Sequence, residues 1–558
     1  MQSISLLEKC LGRVGLYKSA ATKDYCPVNT FGQFFLVMIS VLLMLTVCWA
    51  DQNAQNPKFH ISKFVVTGNS KVSTETINAV VAEFIGDDRD FSSIQSAVSA
   101  IKKTYLEDGY ETIRIVVPKQ ELENGIVHLQ VIEAQLGKIE VQGNKFYDGE
   151  NIRHALHSLK EGEIPNINDL ATDLRLSNES NAKQTQVTFR VGDDPKKVNA
   201  VANVVDDKQW HAAVSLDNTG TDQTGNFRTG VAFMHANILN LDHVLSGQFV
   251  TSPDRVGDVQ IFGMNYRIPL YALGDELEFN GSHSNVNSGV VNTTAGSYGI
   301  SGSGDSFGTR YIHLLPRIHE YDHRVNFGFD YRVYSNNVSL VGSNSGSLIP
   351  DVEIHPLSMN YTGLLKQQER DFSVSAGLYQ NVPGGAIGDN SRFQAVRSGA
   401  VADYTLVRYA LSFNQNLPMN WRFHSEFNGQ LTNDALVSGE QFGIGGINSV
   451  RGFQERTQSN DKGLRGAVEV YTPDFGNVFE FMPLNLKALV FYNFANAWRN
   501  YALPGEIKHD HLSSVGIGFR GNVTNHLLLR LDMADILDTG GVTTVGQKHY
   551  QASIIYIY

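Results

Sequence analysis

The sequence predicts a transmembrane antiparallel β-barrel of about sixteen strands, preceded by two small α/β modules. Three observations carry this expectation. Beyond residue 50, no segment is apolar over the roughly 20 residues that a membrane-spanning helix needs. From Trp210 to the C-terminus, short segments alternate between apolar and polar side chains. Ahead of them, one strand–helix–helix–strand–strand pattern occurs twice.

The N-terminal 50 residues read as an export signal with an extended front end. The run Phe34–Val47, FFLVMISVLLMLTV, is too short to span a bilayer comfortably, follows four basic residues, and leads to a small residue, Ala50. Cleavage is expected before Asp51; the alternative is a permanent anchor. Val47 is too large for the position before a lipidated cysteine, so Cys48 is not read as a lipid site. Cys10, Cys26 and Cys48 all lie in this leader. The body therefore has no disulfides and no thiolate metal sites. The chain has a net charge of -12, and the leader is itself basic. A body this acidic excludes the clustered cations that nucleic acid requires. An exported chain that stays in a membrane without helices must close into a barrel, because every backbone group needs a partner there.

Residues 51–134 form the first expected module. His60–Asn69 reads as a strand ending in a Gly-Asn turn. Ser73 caps a helix with Ile77, Val80, Val81 and Phe84 on one face. A second helix, from about Phe91 to Glu107, presents Ile94, Val98, Ile101 and Tyr105. Two alternating strands follow, in YETIRIVVP and GIVHLQVIE. Residues 135–208 repeat the order more loosely: LGKIEVQGN echoes ISKFVVTGN, helices are expected near 151–159 and 168–178, and strands near 184–191 and 198–205. A repeat of this kind means stacked supersecondary units.

The barrel is expected over residues 209–558, which allows about 22 residues for each strand with its connection. In Arg324–Val333, the residues Val325, Phe327, Phe329, Tyr331 and Val333 share one face. Arg324, Asn326, Gly328, Asp330 and Arg332 share the other. Three full charges on that polar face suit a water-filled lumen. Leu527–Met533 and Val515–Arg520 alternate in the same way. The chain ends on QASIIYIY, with Ile554, Tyr556 and Tyr558 on one face.

These segments resemble the two-partner secretion transporters of the haemolysin activation and secretion type, within the superfamily of outer-membrane assembly barrels carrying POTRA modules. In the first module, Gly109, Tyr110, Pro118, Gln120, Gly125 and the closing strand Val131–Leu136 fall where that family has its motif. Ser215–Gly230 resembles the segment that opens its first barrel hairpin, and Asn237–Gly247 the stretch leading into the next strand. In NSVRGFQER, the residues Val450, Arg451, Gly452 and Phe453 match the tip of a long loop that folds back into the barrel. Its partner motif on the wall is Phe-x-Asp-x-Gly, and here Phe491, Asn493 and Ala495 stand in those places. Lys487, Leu489, Phe491, Asn493 and Ala495 share one face, expected to be the lumen side. The resemblance implies that Arg451 reaches the wall, that Gly452 permits a tight tip and that Phe453 wedges against the wall. An asparagine where the family has aspartate implies either a looser loop or a charge supplied by Glu469 or Asp474. Tyr556 and Tyr558 resemble the terminal signal read by the outer-membrane assembly machinery.

What the resemblance implies is export of an unfolded exoprotein. The POTRA modules would recognise its N-terminal secretion domain, and the barrel would carry it across the lipid bilayer with no cofactor. A plug helix before the first strand is not expected, since only about eight residues precede that strand after the cleavage point. Catalysis finds little support. There is no Gly-rich loop ending in Gly-Lys-Ser/Thr, and nothing reads as the nucleophile elbow of a lipase. His154 and His157 could share a metal but are read as solvated surface, as is the His509–His511 run. An assembly factor of the same superfamily and a passive porin remain as alternatives.

Overall fold

A computed structural model describes residues 57–293, 296–340, 347, 349–476, 483–541 and 547–558. The expected export signal, its cleavage point and any plug helix ahead of the first strand lie outside the described residues.

In the first module, strand Lys63–Thr67 runs parallel to Ile126–Glu133, which pairs antiparallel with Ile113–Val116. The expected opening strand is in fact broken at Ser62. Its first piece, Phe59–Ile61, turns away to pair with Gly86–Arg89, a short strand that the periodicity did not indicate. Ser73 accepts from the Thr76 amide and starts helix Thr74–Val81, and Asp90 caps helix Phe91–Glu107. Both helices bury their predicted stripes: Ile77, Val81, Ile94, Ile101 and Tyr105 pack on Phe64, Val127 and Leu129.

The second module has the same strand order. Gln135–Gln142 is parallel to Lys197–Asp206, which is antiparallel to Lys183–Val191, and helices Gly149–Ala155 and Ile167–Ser177 cover the sheet. The repeat has a physical root in its turns. Gly68 and Gly143 adopt φ of 84° and 86°, and a Cβ there would lie 2.3 Å from the Val131 carbonyl oxygen and 2.6 Å from that of Val204. Only glycine allows that approach. In each module the acid that ends the last strand holds the turn. Glu133 accepts from the Ser70 and Lys71 amides at 2.7 and 3.0 Å, and Asp206 accepts from the Phe146 and Tyr147 amides at 2.8 and 2.9 Å.

The barrel is closed. Counting Val352–Ile354 and Pro356–Lys366 as one strand interrupted at His355, it has 16 antiparallel strands from Trp210–Asp217 to Tyr550–Ile557. The predicted alternation is realised: Phe327, Phe329 and Tyr331 face outward and are exposed, whereas Asp330 is buried inside. Outward-facing apolar side chains in lipid and charged ones in the lumen follow from the period of two. Five residue pairs, from Ser553 with Asp217 to Ile557 with Ala213, close the seam between last and first strands. Tyr558 stacks on Trp210 at 5.3 Å beside this seam.

Candidate functional site: a loop tip held against the inner wall

The connection 432–461 joins strands Arg422–Leu431 and Lys462–Tyr471. It folds back on itself: Phe442–Ile444 pairs with Gln458–Asn460, and the tip lies between them. Gly445 and Gly446 have φ of 96° and 114°, and the Gly446 amide donates to the Val450 carbonyl at 3.2 Å. A sharp turn of this kind excludes side chains with a Cβ. Gly452, at φ 94°, sits where a Cβ would meet Ile536 at 3.1 Å and Ala534 at 3.2 Å. Val450 and Phe453 are fully buried with Ile444, Ala495, Ala497 and Leu512. The apolar part of the tip is therefore wedged against strands Leu484–Trp498 and His509–Val523.

Arg451 is 2% exposed. Its Nε donates to Asn493 Oδ1 at 2.8 Å, one Nη to Glu469 at 2.5 Å, and the other to Asp532 at 3.3 Å. The guanidinium also lies over the Phe491 ring, 3.5 Å from its centroid. Asp532 is shared: Arg520 and Arg530 reach it at 2.9 and 2.7 Å, and Arg530 donates back to the Asn448 side chain and the Ile447 carbonyl of the loop. Such charge-assisted, multiply satisfied contacts are the form in which buried charge is tolerated. Of the two alternatives, a looser loop or a charge from a neighbouring carboxylate, the geometry has the second. Glu469 supplies charge; Asp474 does not, because its carboxylate accepts from the Gly476 and Leu486 amides instead. Asp532 was missed, although the alternation had already set it on the face of Leu527–Met533 opposite the apolar residues, together with Arg530. The Asn493 Nδ2 is buried and has no partner among the described residues.

The tip is tied to the last strand as well. Gly452 and Phe453 pair with Lys548 and Gln547, and the Gln551 side chain accepts from the Gly452 amide at 3.3 Å and donates to the Phe453 carbonyl at 3.1 Å. A second tether stands at the loop's foot. The buried Asp461 carboxylate accepts a forked pair of bonds from Arg397, a bond from the Leu436 amide at 2.8 Å and one from the Asn500 amide at 2.7 Å. Arg397 ends helix Asn390–Val396 in the connection 382–404, so this carboxylate gathers three connections at the same end of the barrel.

The other predicted residues have mainly architectural places. Gly109, at φ 87°, closes against Asn166, and its carbonyl accepts from the Ile167 amide at 2.8 Å, joining the two modules. Tyr110 packs edge-on against Tyr105. Pro118 follows strand Ile113–Val116. Gln120 exchanges two hydrogen bonds with the His128 backbone, and Gly125 accepts from the Ser62 amide at 2.8 Å. Ile554, Tyr556 and Tyr558 are exposed together. His154 stands edge-on to Tyr271, and His509 stacks between Trp498 and His511. Among the described residues, no group of three or more side chains is placed to hold a metal. One Gly-x-Ser-x-Gly spacing does occur, Gly304–Gly308. It lies within the continuous strand Gly296–Leu314, with Ser306 bonded to Ser282 at 2.7 Å, and lacks the strand–turn–helix bend of a nucleophile elbow.

Residues 199–483, more than half of the chain, match the haemolysin secretion/activation protein family ShlB/FhaC/HecB, and residues 59–134 match the POTRA domain of ShlB type. The chain belongs to this family. The heme/hemopexin transporter protein HuxB of Haemophilus influenzae (strain 86-028NP) is 22% identical over 88% of this chain and 86% of that protein. The outer membrane transporter CdiB of Dickeya dadantii (strain 3937) is 23% identical over 74% and 72%. The solved structure of CdiB from Escherichia coli superposes with a TM-score of 0.76 at 17% identity, covering 92% of this chain and 93% of that one. CdiB from Acinetobacter baumannii gives 0.68 at 16%, covering 94% and 97%. This ShlB-type chain is accordingly an outer-membrane transporter of a two-partner secretion system, with its POTRA region on the periplasmic side. Family members are transporters that work with secreted partner proteins.

Proposed function

We propose that the periplasmic modules take up an extended segment from the N-terminal secretion domain of one exoprotein, and that this segment crosses the barrel when the Arg451 tip leaves the wall. The observation that carries this reading is the tip itself. It is a buried, charge-held loop segment inside a barrel whose inner face is polar. A purely structural filling would be better stabilised by apolar packing than by desolvated ions. Contacts made of a few ion pairs can be exchanged for solvent and cargo contacts.

The entry side suits an unfolded partner. Lys63–Thr67, Ile113–Val116 and Lys183–Val191 each have a strand partner on one side only, among the described residues. An open edge accepts an added strand through backbone hydrogen bonds, with side-chain pockets giving selectivity. Gln135–Gln142 is less open, because Leu136 exchanges backbone bonds with Gly162 and Glu163, and Lys183–Val191 is open beyond Thr185, whose backbone groups bond the Asn178 side chain at 2.7 and 2.9 Å. The division into an export signal (1–50), POTRA modules (51–134 and 135–208) and barrel (209–558) is part of this reading. So are engagement of the bilayer by the outward aromatic residues and recognition of the terminal strand by the assembly machinery.

Hydrogen exchange on the full chain, with and without the exoprotein's N-terminal domain, tests it. Protection of the amides in Lys183–Val191 or the two edges of the first module is expected. Unchanged exchange at all three edges under saturating partner would refute strand addition.

A further inference from the structure

The second module is not suspended from the barrel by a linker alone. Lys183, the first residue of its edge strand, is 1% exposed. Its Nζ donates to Asp242 at 2.6 Å and to Asn151 Oδ1 at 3.0 Å, and lies 5.0 Å from the centre of the Tyr147 ring. Asp242 belongs to the barrel, in the turn between strands Arg228–Ile238 and His243–Thr251. Asn151, on the module, reaches three groups of the same turn: Asn237 Oδ1 at 3.1 Å, the Asn240 carbonyl at 3.0 Å and Asp242 Oδ1 at 3.0 Å. Tyr271, from the next turn, donates to Asp242 at 2.6 Å.

That barrel turn is strained on its own terms. Leu239, Asn240 and Asp242 all have φ between 57° and 61°, a conformation that asparagine and aspartate tolerate and that is costly for Leu239. The contacts from the module stabilise it in that shape. A second contact set lies further along the rim. Arg175 donates to the Leu315 and His323 carbonyls at 2.8 and 2.9 Å, and Glu179 accepts from Arg324 at 2.9 Å. Ala155 and Leu176 pack on Tyr271, Ile312 and Leu314 between the two sets. The edge strand Lys183–Val191 therefore starts at the barrel rim, with its first side chain sealed into the barrel's own turn.

We propose that Lys183 is a positioning residue. By pairing with Asp242 it fixes the second module to the rim, so that a strand added along Lys183–Val191 is handed to the pore without a diffusive step. The transport part of this proposal rests on the function proposed above. Holding a receptor at a fixed place makes the next step intramolecular, at a high effective concentration that is lost when the geometry is lost.

The test uses the full chain. All three native cysteines fall in residues 1–50, so spin labels can be placed one by one in the rest. Labels at Asp193→Cys, on the module, and Gln368→Cys, on a barrel turn at the same rim, are both on exposed residues. The distance distribution between them is expected to be narrow in the wild type and clearly broader in Lys183→Met. Asp242→Asn, which keeps neutral partners for Tyr271 and Asn151, serves as the second variant should Lys183→Met fail to insert as a heat-modifiable barrel. In a broadened variant export should fall roughly tenfold to a hundredfold, and in Asp242→Asn, which leaves the edge strand untouched, binding of the exoprotein's N-terminal domain should be unchanged. An unchanged distance distribution in an inserted variant overturns the proposal, and so does a broadened one with full export. If the wild type neither binds nor exports the exoprotein, the transport reading fails instead; the distances need no cargo and still decide whether the pair holds the module.

Discussion

Replacing Arg451 by alanine removes one group that makes three charge-assisted or polar bonds and covers an aromatic face. What remains decides the magnitude. Asp532 keeps Arg520 and Arg530, so it is not orphaned. Glu469 loses its guanidinium and keeps the Tyr471 hydroxyl as a side-chain hydrogen-bond donor, and Asn493 Oδ1 loses the short bond from the guanidinium and keeps the longer one from the residue 451 amide at 3.4 Å. Breaking one side of a buried pair costs about 3–5 kcal/mol. With one of the two carboxylates still satisfied, the lower end applies, about 3 kcal/mol. At about 1.4 kcal/mol per factor of ten, the tip is then held on the order of a hundredfold less tightly. The barrel strands keep their ladders, so insertion and heat modifiability should stay normal. Single-channel recording in planar bilayers should show more frequent open events at rest, and export should fall because the tip no longer returns to one position. The reasoning is checked by a cycle with Glu469→Gln. Residues in direct contact should couple by about 1.5–3 kcal/mol, so the double variant should be little worse than Arg451→Ala alone. Additive effects on channel opening would show that the Arg451–Glu469 contact does not hold the tip.

Asn493→Asp should close the channel further, since it puts a carboxylate beside Arg451 and removes only an amide nitrogen that has no partner among the described residues; a more open channel would count against it, and the effect should vanish in Arg451→Ala. Arg397→Ala should raise resting conductance without changing barrel yield, because Asp461 then keeps only two backbone donors of its four hydrogen bonds; wild-type conductance would separate that contact from gating. Deleting Tyr556–Tyr558 removes two of the five seam pairs and the Trp210 stack, so the heat-modifiable barrel should be lost from the membrane, and a normal yield would refute the reading. In the first module, burial pushes the Glu133 carboxyl upward, but bonds from Ser70, Lys71 and Tyr105 outweigh it and hold the pKa below the usual glutamate value. A depressed carboxylate stabilises the fold above its unfolded pKa, about 4.3, and loses that contribution as pH falls through the lower folded value. Exchange protection of the Ser70 and Lys71 amides should therefore be flat at neutral pH and fall in acid below about pH 4. Glu133→Gln should lack that acid-dependent step.

By itself the sequence determined what depends on near neighbours along the chain. Alternation with period two places Phe327 outside and Asp330 inside whatever the rest of the barrel does, because successive side chains of a strand point to opposite faces. Ser73 announced its helix by an equally local rule, its side chain capping the first turn, and the paired glycines Gly68 and Gly143 marked one module shape used twice. The Val-Arg-Gly-Phe tip was legible as a motif. Its binding partners were not, since Arg451 draws its charge from carboxylates 18 and 81 residues away and no local pattern reports which strands the closed barrel brings beside it. That is why Asp474, a plausible donor of charge by position in the chain, proved to be engaged at its own turn. Likewise Lys183 lies just ahead of the strand expected near 184–191, and only the docking of the module on the barrel makes it a buried ion. A buried charge is stabilised by whatever the three-dimensional fold sets within about 3 Å of it, and that distance is not recorded along the chain.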